Sequence, residues 1–136
     1  MSNVAPEDIE QILETIDKAL LMHTRWYEDL MRTLLCRLPV PLSITAKDAH
    51  NRCDFGCWLY GERNSRLHVL PAFTKIDALH KTMHDSAREL SLKMEANGKA
   101  PEEDYDYFLR NVTQFRNELN DFRQRVLATL NHVTSN

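Results

Sequence analysis

Apolar residues recur every three or four positions in three long stretches of the chain. The stretches cover residues 5–38, 71–97 and 101–133, and each predicts an amphipathic helix with one apolar face. Prolines follow the first stretch and Gly98 follows the second, as is typical where helices end. The predicted apolar faces consist of Ile9, Ile12, Ile16, Leu20, His23, Tyr27, Leu30 and Leu34; Phe73, Ile76, His80, Met83, Ala87, Leu90 and Met94; and Phe108, Val112, Phe115, Leu119, Phe122, Val126 and Leu130.

The segments between the first two long helices have less pattern. Residues 39–50 show no apolar period, and we interpret them as a crossover loop. Residues 53–62, CDFGCWLYGE, predict a helix of about two turns, and residues 63–73 a second connection. Three long amphipathic helices and one short helix carrying Cys53 favour an all-α, antiparallel four-helix bundle. We expect residues 1–136 to form a single domain.

Composition and charge exclude several functional classes. The 136 residues carry a net charge of −3, with no basic stripe and no apolar run of the roughly 18 residues that a membrane span needs. We therefore expect neither nucleic-acid binding nor a membrane span. The acidic, polar N-terminus differs from a secretion signal, and three cysteines argue against a disulfide framework. A cytoplasmic protein with reduced thiols is the resulting prediction.

Three histidines lie on the predicted apolar faces, where an imidazole needs a hydrogen-bond partner or a metal. His80 and His84 are four residues apart on one helix face, a spacing that lets two imidazoles share a metal ion. His23 would add a third nitrogen from the first helix, although a lone buried histidine is more often an ordinary core residue. Three imidazoles and one thiolate suit zinc. Cys53 is therefore a candidate fourth ligand, and His50 is its rival.

The segment around Cys53 also resembles a known family. Residues 53–61, CDFGCWLYG, closely resemble the signature C-x-F-G-x-W-L-Y-G of the chemoreceptor zinc-binding (CZB) domain. HTRW at residues 23–26 and HKTMH at residues 80–84 resemble the H-x-x-W and H-x-x-x-H elements of that family, in the same order. The resemblance implies one zinc ion per chain, with the ligands His23, Cys53, His80 and His84.

The resemblance further implies a regulatory domain without catalytic activity of its own. Members of the family are attached to chemoreceptors or diguanylate cyclases, and the layout here looks most like the cyclase-linked members. We therefore expect a homodimer that controls c-di-GMP signalling or chemotaxis through zinc occupancy or the redox state of Cys53. No cyclase or receptor signalling motif occurs in the sequence, so we expect the output domain elsewhere in a longer chain or in a partner.

Other functions remain open at this point. One alternative is a free-standing module that senses hypochlorite or another oxidant. A second is a zinc hydrolase, which would need three ligands, a bound water and a base such as Glu28 or Asp77. A third is a purely structural bundle, such as a haem-binding or dimerisation module. The number of protein ligands separates the regulatory domain from the hydrolase, and metal content separates both from the structural bundle.

Several residues near the motifs have more than one possible role. Cys57 departs from the family signature. Because it lies one helical turn after Cys53, it is either a packing residue or a second redox thiol. Gly56 is expected to allow a close backbone approach. Trp26 and Trp58 are expected to pack around the site, and Asp54, Asp77 and Asp85 are candidates for orienting an imidazole by a hydrogen bond. We interpret Cys36 as a packing residue at the end of the first helix.

Overall fold

The computed structural model describes residues 6–61 and 71–134, which form six helices. These are α1 (Pro6–Leu35), α2 (Leu42–Thr45), α3 (Ala49–Arg52), α4 (Asp54–Leu59), α5 (Pro71–Asn97) and α6 (Glu102–Thr134). No strand occurs in the described residues, and the all-α prediction is confirmed. Most of the predicted connection at residues 63–73 lies outside the described residues, and its last three positions begin α5.

Local backbone and side-chain interactions explain where α1 and α5 end and where α6 begins. Gly98 adopts a φ of 73° after α5, and its N–H donates to the carbonyl of Met94 at 2.8 Å. Acidic residues fill the first turn of α6, where their negative charges interact favourably with the positive end of the helix dipole. The helix α1 ends three residues earlier than predicted because Arg37 takes a φ of 54° and the N–H of Leu38 donates to Thr33. This is the geometry of a Schellman motif, and it turns the chain before the first proline.

The helix α6 runs antiparallel to both α1 and α5. Residue numbers rise along α6 while those of the residues it contacts fall along each neighbouring helix, so α1 and α5 are parallel to each other. The contacts that show this are Asp17–Arg123 (2.6 Å), Lys75–Glu118 (3.1 Å), Lys93–Asp104 (2.7 Å) and the stacked rings of Tyr27 and Phe108 (5.9 Å between centroids).

The short helices occupy the fourth position of the bundle. The helices α2 and α3 lie against α5, and α4 contacts α1. The predicted short helix corresponds to α4, with Cys53 immediately before it. The prediction of a loop at residues 39–50 is wrong, because α2 and the first half of α3 lie there. Helices of four residues are too short for a periodic apolar pattern to reveal them.

The predicted apolar faces form the core. Their described members are buried, except for four that are half-buried: Leu20, Tyr27, Leu34 and Met94. The side chain of Leu130 lies outside the described part of the chain. Three histidines lie inside this apolar core, His23 at 7%, His80 at 0% and His84 at 3% exposure. The core of the bundle therefore contains three polar imidazoles among apolar side chains.

Candidate metal centre

The four residues expected to bind zinc come together in the structure. His23 comes from α1, His80 and His84 come from α5, and Cys53 lies at the junction of α3 and α4. One ligand atom from each residue can be chosen so that all four atoms lie within 4.8 Å of one another. No other group of this kind occurs in residues 6–61 and 71–134. Residues far apart in sequence thus present four metal-binding atoms to one point.

His23 has the tautomer that a metal ligand requires. Its Nδ1 lies 2.8 Å from the carbonyl oxygen of Ala19, one turn earlier in α1. A carbonyl only accepts, so Nδ1 carries the proton and Nε2 keeps its lone pair. That Nε2 faces the Sγ atom of Cys53 at 4.0 Å. A backbone bond of this kind is the usual way in which a ligating imidazole is oriented.

Cys53 occupies a junction between two short helices. Its backbone is extended, with φ −71° and ψ 156°, and it caps both the end of α3 and the start of α4. The Sγ atom accepts a hydrogen bond from the N–H of Gly56 at 3.2 Å and lies 3.3 Å from Nε2 of His80. The capping position therefore directs the sulfur toward the histidines.

The spacing of these atoms fits a tetrahedral zinc ion. Zn–S and Zn–N bonds of typical length place sulfur and nitrogen about 3.5 Å apart at a tetrahedral angle. The two distances from Cys53 Sγ, 3.3 Å to His80 and 4.0 Å to His23, lie on either side of that value. Side-chain shifts of less than about 1 Å would bring the atoms to ligand distance.

Unpartnered nitrogens provide a second test of the fit. Among the described residues, neither nitrogen of His84 has a hydrogen-bond partner, and Nδ1 of His80 also has none. An unsatisfied buried polar atom costs about 1–3 kcal/mol, so native structures rarely leave several together. A metal ion would satisfy one nitrogen of His84 directly. The arrangement therefore fits a ligand set better than ordinary core histidines.

Burial sets the protonation states of the metal-free site. It lowers the pKa of His23 and His80, and it lowers the pKa of His84 to about 3, with smaller contributions from neighbouring histidines at His80 and His84. All three imidazoles are neutral at neutral pH, as ligands must be. Burial also raises the pKa of the Cys53 thiol, so a metal ion would displace its proton.

Aromatic rings enclose the site. The rings of Trp26 and His84 are 4.8 Å apart, and those of Phe55 and His80 are 5.1 Å apart. Phe115 of α6 closes the third side, 5.0 Å from His23. Trp26 was predicted from the sequence to line the site, whereas Phe55 and Phe115 were not, although Phe55 stands in the CZB signature and Phe115 on an apolar face. Such a shell keeps water away from a metal and its ligands.

The carboxylates predicted to orient the imidazoles do not do so. Asp77 accepts a hydrogen bond from the Tyr60 hydroxyl, and Asp85 accepts from Lys81 Nζ at 2.8 Å. Asp54 is exposed. A residue directly after another on a helix points to a different face, as Asp85 does relative to His84. Asp77 shares a face with His80, but its carboxylate bonds to Tyr60 instead of an imidazole.

The remaining sequence predictions divide between correct and wrong. A Cβ atom at Gly56 would lie 1.9 Å from the carbonyl oxygen of His50, so the predicted close approach is confirmed. His50 is buried but does not belong to the group of four. The packing interpretation is wrong for both Cys57 and Cys36, which are exposed. The Trp58 ring stacks on Phe55, one layer farther from the histidines.

Comparison with known proteins agrees with this geometry. The family model for the chemoreceptor zinc-binding domain matches residues 23–91, a range that contains all four candidate ligands. The chain belongs to the chemoreceptor zinc-binding domain family. Family membership confirms the predicted cofactor, zinc. It also confirms the resemblance on which the sequence analysis relied.

Sequence and structure comparisons both match this chain to DgcZ. The diguanylate cyclase DgcZ of Escherichia coli K12 is 26% identical over 121 residues, which cover 89% of this chain and 40% of that protein. This chain therefore spans less than half the length of that relative. The solved regulatory CZB domain of DgcZ superposes with a TM-score of 0.74 at 25% identity, covering 88% of this chain and 98% of that one. A match to a regulatory domain agrees with the expectation that the CZB domain is not itself an enzyme.

The described helices do not have the character of membrane spans. None in the described part of the chain is both long enough and apolar enough to cross a bilayer.

Proposed function

We propose that this CZB domain binds one zinc ion through His23, Cys53, His80 and His84, and that zinc occupancy regulates an output domain. The observation that carries the proposal is the buried group of three neutral imidazoles and one thiol whose ligand atoms lie within 4.8 Å. Zinc supplies a tetrahedral link among these groups when it is bound. The proposal treats residues 1–136 as one regulatory domain, in line with the match to nearly the whole DgcZ domain.

The ligand set supports regulation over hydrolysis. Four protein ligands complete a tetrahedron and leave no position for the water that a hydrolytic zinc site activates. Within the described residues, the group contains no carboxylate. Glu28 is exposed on α1, and the Asp77 carboxylate is bonded to the Tyr60 hydroxyl. The arrangement thus lacks both the open position and the nearby base that a zinc hydrolase would need.

The origin of the ligands suggests how occupancy could be transmitted. His23 is held by α1, Cys53 by the α3–α4 junction, and His80 and His84 by α5. Shared ligation would fix these three parts relative to one another, and loss of one ligand would let them repack. A ligand that stabilises one packing over another shifts the population toward it. Oxidation of Cys53, which is half-buried, would remove the thiolate and favour the metal-free packing.

The proposed output is a diguanylate cyclase domain, because the curated relative is a diguanylate cyclase. The control would act on a domain in the same chain or on a partner, and a chemoreceptor is the second candidate. We propose a homodimer as the working unit. The described cysteines are all free, which supports the proposed cytoplasmic location.

Zinc content tests the ligand set directly. Elemental analysis should find one zinc per wild-type chain and a strong loss in Cys53→Ala and His84→Ala. The matched controls are Cys57→Ala, which removes an exposed thiol, and His50→Ala, which removes the rival imidazole. Both controls should retain zinc. Wild-type protein without zinc after incubation with the metal, or zinc retained by both ligand variants, would disprove the proposed site.

Regulation requires a separate experiment. The domain joined to a diguanylate cyclase domain, or mixed with it, should show a cyclase rate that changes when a chelator removes zinc. The same change should occur in Cys53→Ala without chelator. Light scattering on the same samples tests the proposed homodimer. A cyclase rate that is independent of zinc would limit the domain to metal binding.

A further inference from the structure

Tyr60 connects the short helix beside the site to the long helix that carries two ligands. It lies directly after α4, and its hydroxyl donates a hydrogen bond to Oδ1 of Asp77 in α5. Asp77 lies just under one helical turn before His80. Cys53 stands at the opposite end of α4. One hydrogen bond thus joins the two elements that bring Cys53 to His80.

The position of Cys53 depends on how α4 is held. The three histidines stand on helices of 30 and 27 residues, whereas α4 has six residues and α3 has four. Helices this short are unstable without tertiary contacts. Phe55 and Leu59 are buried at 2% and 1% exposure and hold one face of α4 against the core. Apolar contacts are non-directional, so a hydrogen bond is better suited to fix the helix relative to α5.

Tyr60 also contacts the helix that precedes Cys53. Its ring meets the His50 ring edge-on, with 6.3 Å between centroids. The carbonyl of His50 in turn accepts from the Cys53 thiol at 3.7 Å. Tyr60 therefore touches α3 and α5 and continues directly from α4.

We infer that Tyr60 and Asp77 are positioning residues of the zinc site, which hold Cys53 Sγ in reach of His80. The inference rests on the ligand set proposed above. Asp77 does not orient the His80 ring, because Nδ1 of His80 has no partner and Asp77 bonds to Tyr60 instead. The pair acts on the metal through the placement of α4.

The hydrogen bond is suited to a constant role. Burial, together with Asp77, raises the pKa of Tyr60, so its hydroxyl stays protonated and can donate throughout the physiological pH range. A neutral donor to a charged acceptor is stronger than a bond between neutral groups. Outer contacts that orient metal ligands typically change metal affinity by about 10–100-fold when they are removed.

Competition titration with a chromophoric zinc chelator tests the inference. Tyr60→Phe and Asp77→Ala should each weaken zinc binding about tenfold, and the double variant should be no weaker than either single variant, since both remove the same bond. Asp77→Asn keeps an acceptor oxygen and should retain most of the affinity. The matched control is Tyr107→Phe on α6, because Tyr107 is exposed to 43% and Tyr60 to 40%. Its zinc affinity should equal that of the wild type.

Two further measurements separate positioning from general stability. In a Cys53→Ala background, Tyr60→Phe should cause no further loss of zinc affinity, because the residue acts through Cys53. With cobalt in place of zinc, Tyr60→Phe should weaken the thiolate-to-metal charge-transfer band while the bands from imidazole ligation persist. An equal loss of affinity in the Cys53→Ala background, or an unchanged cobalt spectrum, would overturn the inference.

The test distinguishes this inference from the proposed function. If wild-type protein binds no zinc, the ligand set fails. If wild-type protein binds one zinc through the four ligands and Tyr60→Phe binds it equally well, only the positioning role fails.

Discussion

The buried histidines predict that the metal-free domain loses stability in mild acid. The perturbation is removal of zinc by a chelator, followed by a change from pH 7.5 to pH 5.5. Burial lowers the pKa of His23, His80 and His84 in the folded protein, whereas imidazoles of the unfolded chain titrate near 6.5. Below that pH the unfolded chain binds more protons than the folded one. The free energy of unfolding must therefore fall as the pH falls.

The size of the effect follows from the number of histidines. Each fully neutral buried imidazole contributes about 1.3 kcal/mol to the loss between pH 7.5 and 5.5, when its unfolded pKa is near 6.5. His80 and His84 together give a loss of about 2.6 kcal/mol, and the lowered pKa of His23 adds to it. Small domains have a total stability of about 5–15 kcal/mol, so this loss is large.

Urea unfolding followed by circular dichroism measures this loss. His84→Leu should reduce the pH-dependent loss by about 1.3 kcal/mol, since a pKa of about 3 keeps His84 neutral in the folded protein at pH 5.5 and leucine does not titrate. Nuclear magnetic resonance of the histidine ring protons should show no protonation of the His80 and His84 rings above pH 5.5. Equal stability of the metal-free domain at both pH values would contradict the prediction, because it would mean that the buried imidazoles are protonated in the folded state.

Three other changes test separate features of the structure. Gly56→Ala should destabilise the domain by about 1–3 kcal/mol in urea unfolding and weaken zinc binding, because the new methyl group would meet the His50 carbonyl at 1.9 Å; zinc affinity equal to wild type would contradict this. Gly98→Ala should cost about 1 kcal/mol in the same assay, because its φ is 73°, yet leave zinc affinity unchanged, and an unchanged midpoint would be the contrary result. Zinc binding at neutral pH should release about one proton, from Cys53, which calorimetry in buffers of different ionisation enthalpy can count; Cys53→Ala should release none.

The long helices could be predicted because their signal is repeated many times. Each apolar face contains seven or eight residues at helical spacing, so one ambiguous residue does not change the pattern. The helices α2 and α3 have four residues each and offer no complete repeat. The end of α1 was also missed, because nothing in the residue type predicts a left-handed Arg37.

The site could be predicted only in part. Helical spacing placed His80 and His84 on one face, but the partnership with Cys53 depended on family resemblance, since no local rule relates residues 53 and 80. Asp77 shows the limit of sequence proximity: it stands three residues from a ligand and yet bonds to Tyr60. Contacts between distant elements follow from tertiary packing, which a single sequence does not specify.

The four proposed ligands are also far apart along the chain. A link between His23 and His84 closes a loop of about sixty residues. The lost conformational entropy would raise the free energy of the unfolded chain by about 4 kcal/mol. The zinc-bound domain would thus behave as a reversibly cross-linked protein. Complete unfolding would have to wait for the metal to leave. Resistance to proteolysis and to mechanical force would then be governed by the rate of zinc dissociation, so the lifetime of the fold would itself report metal availability.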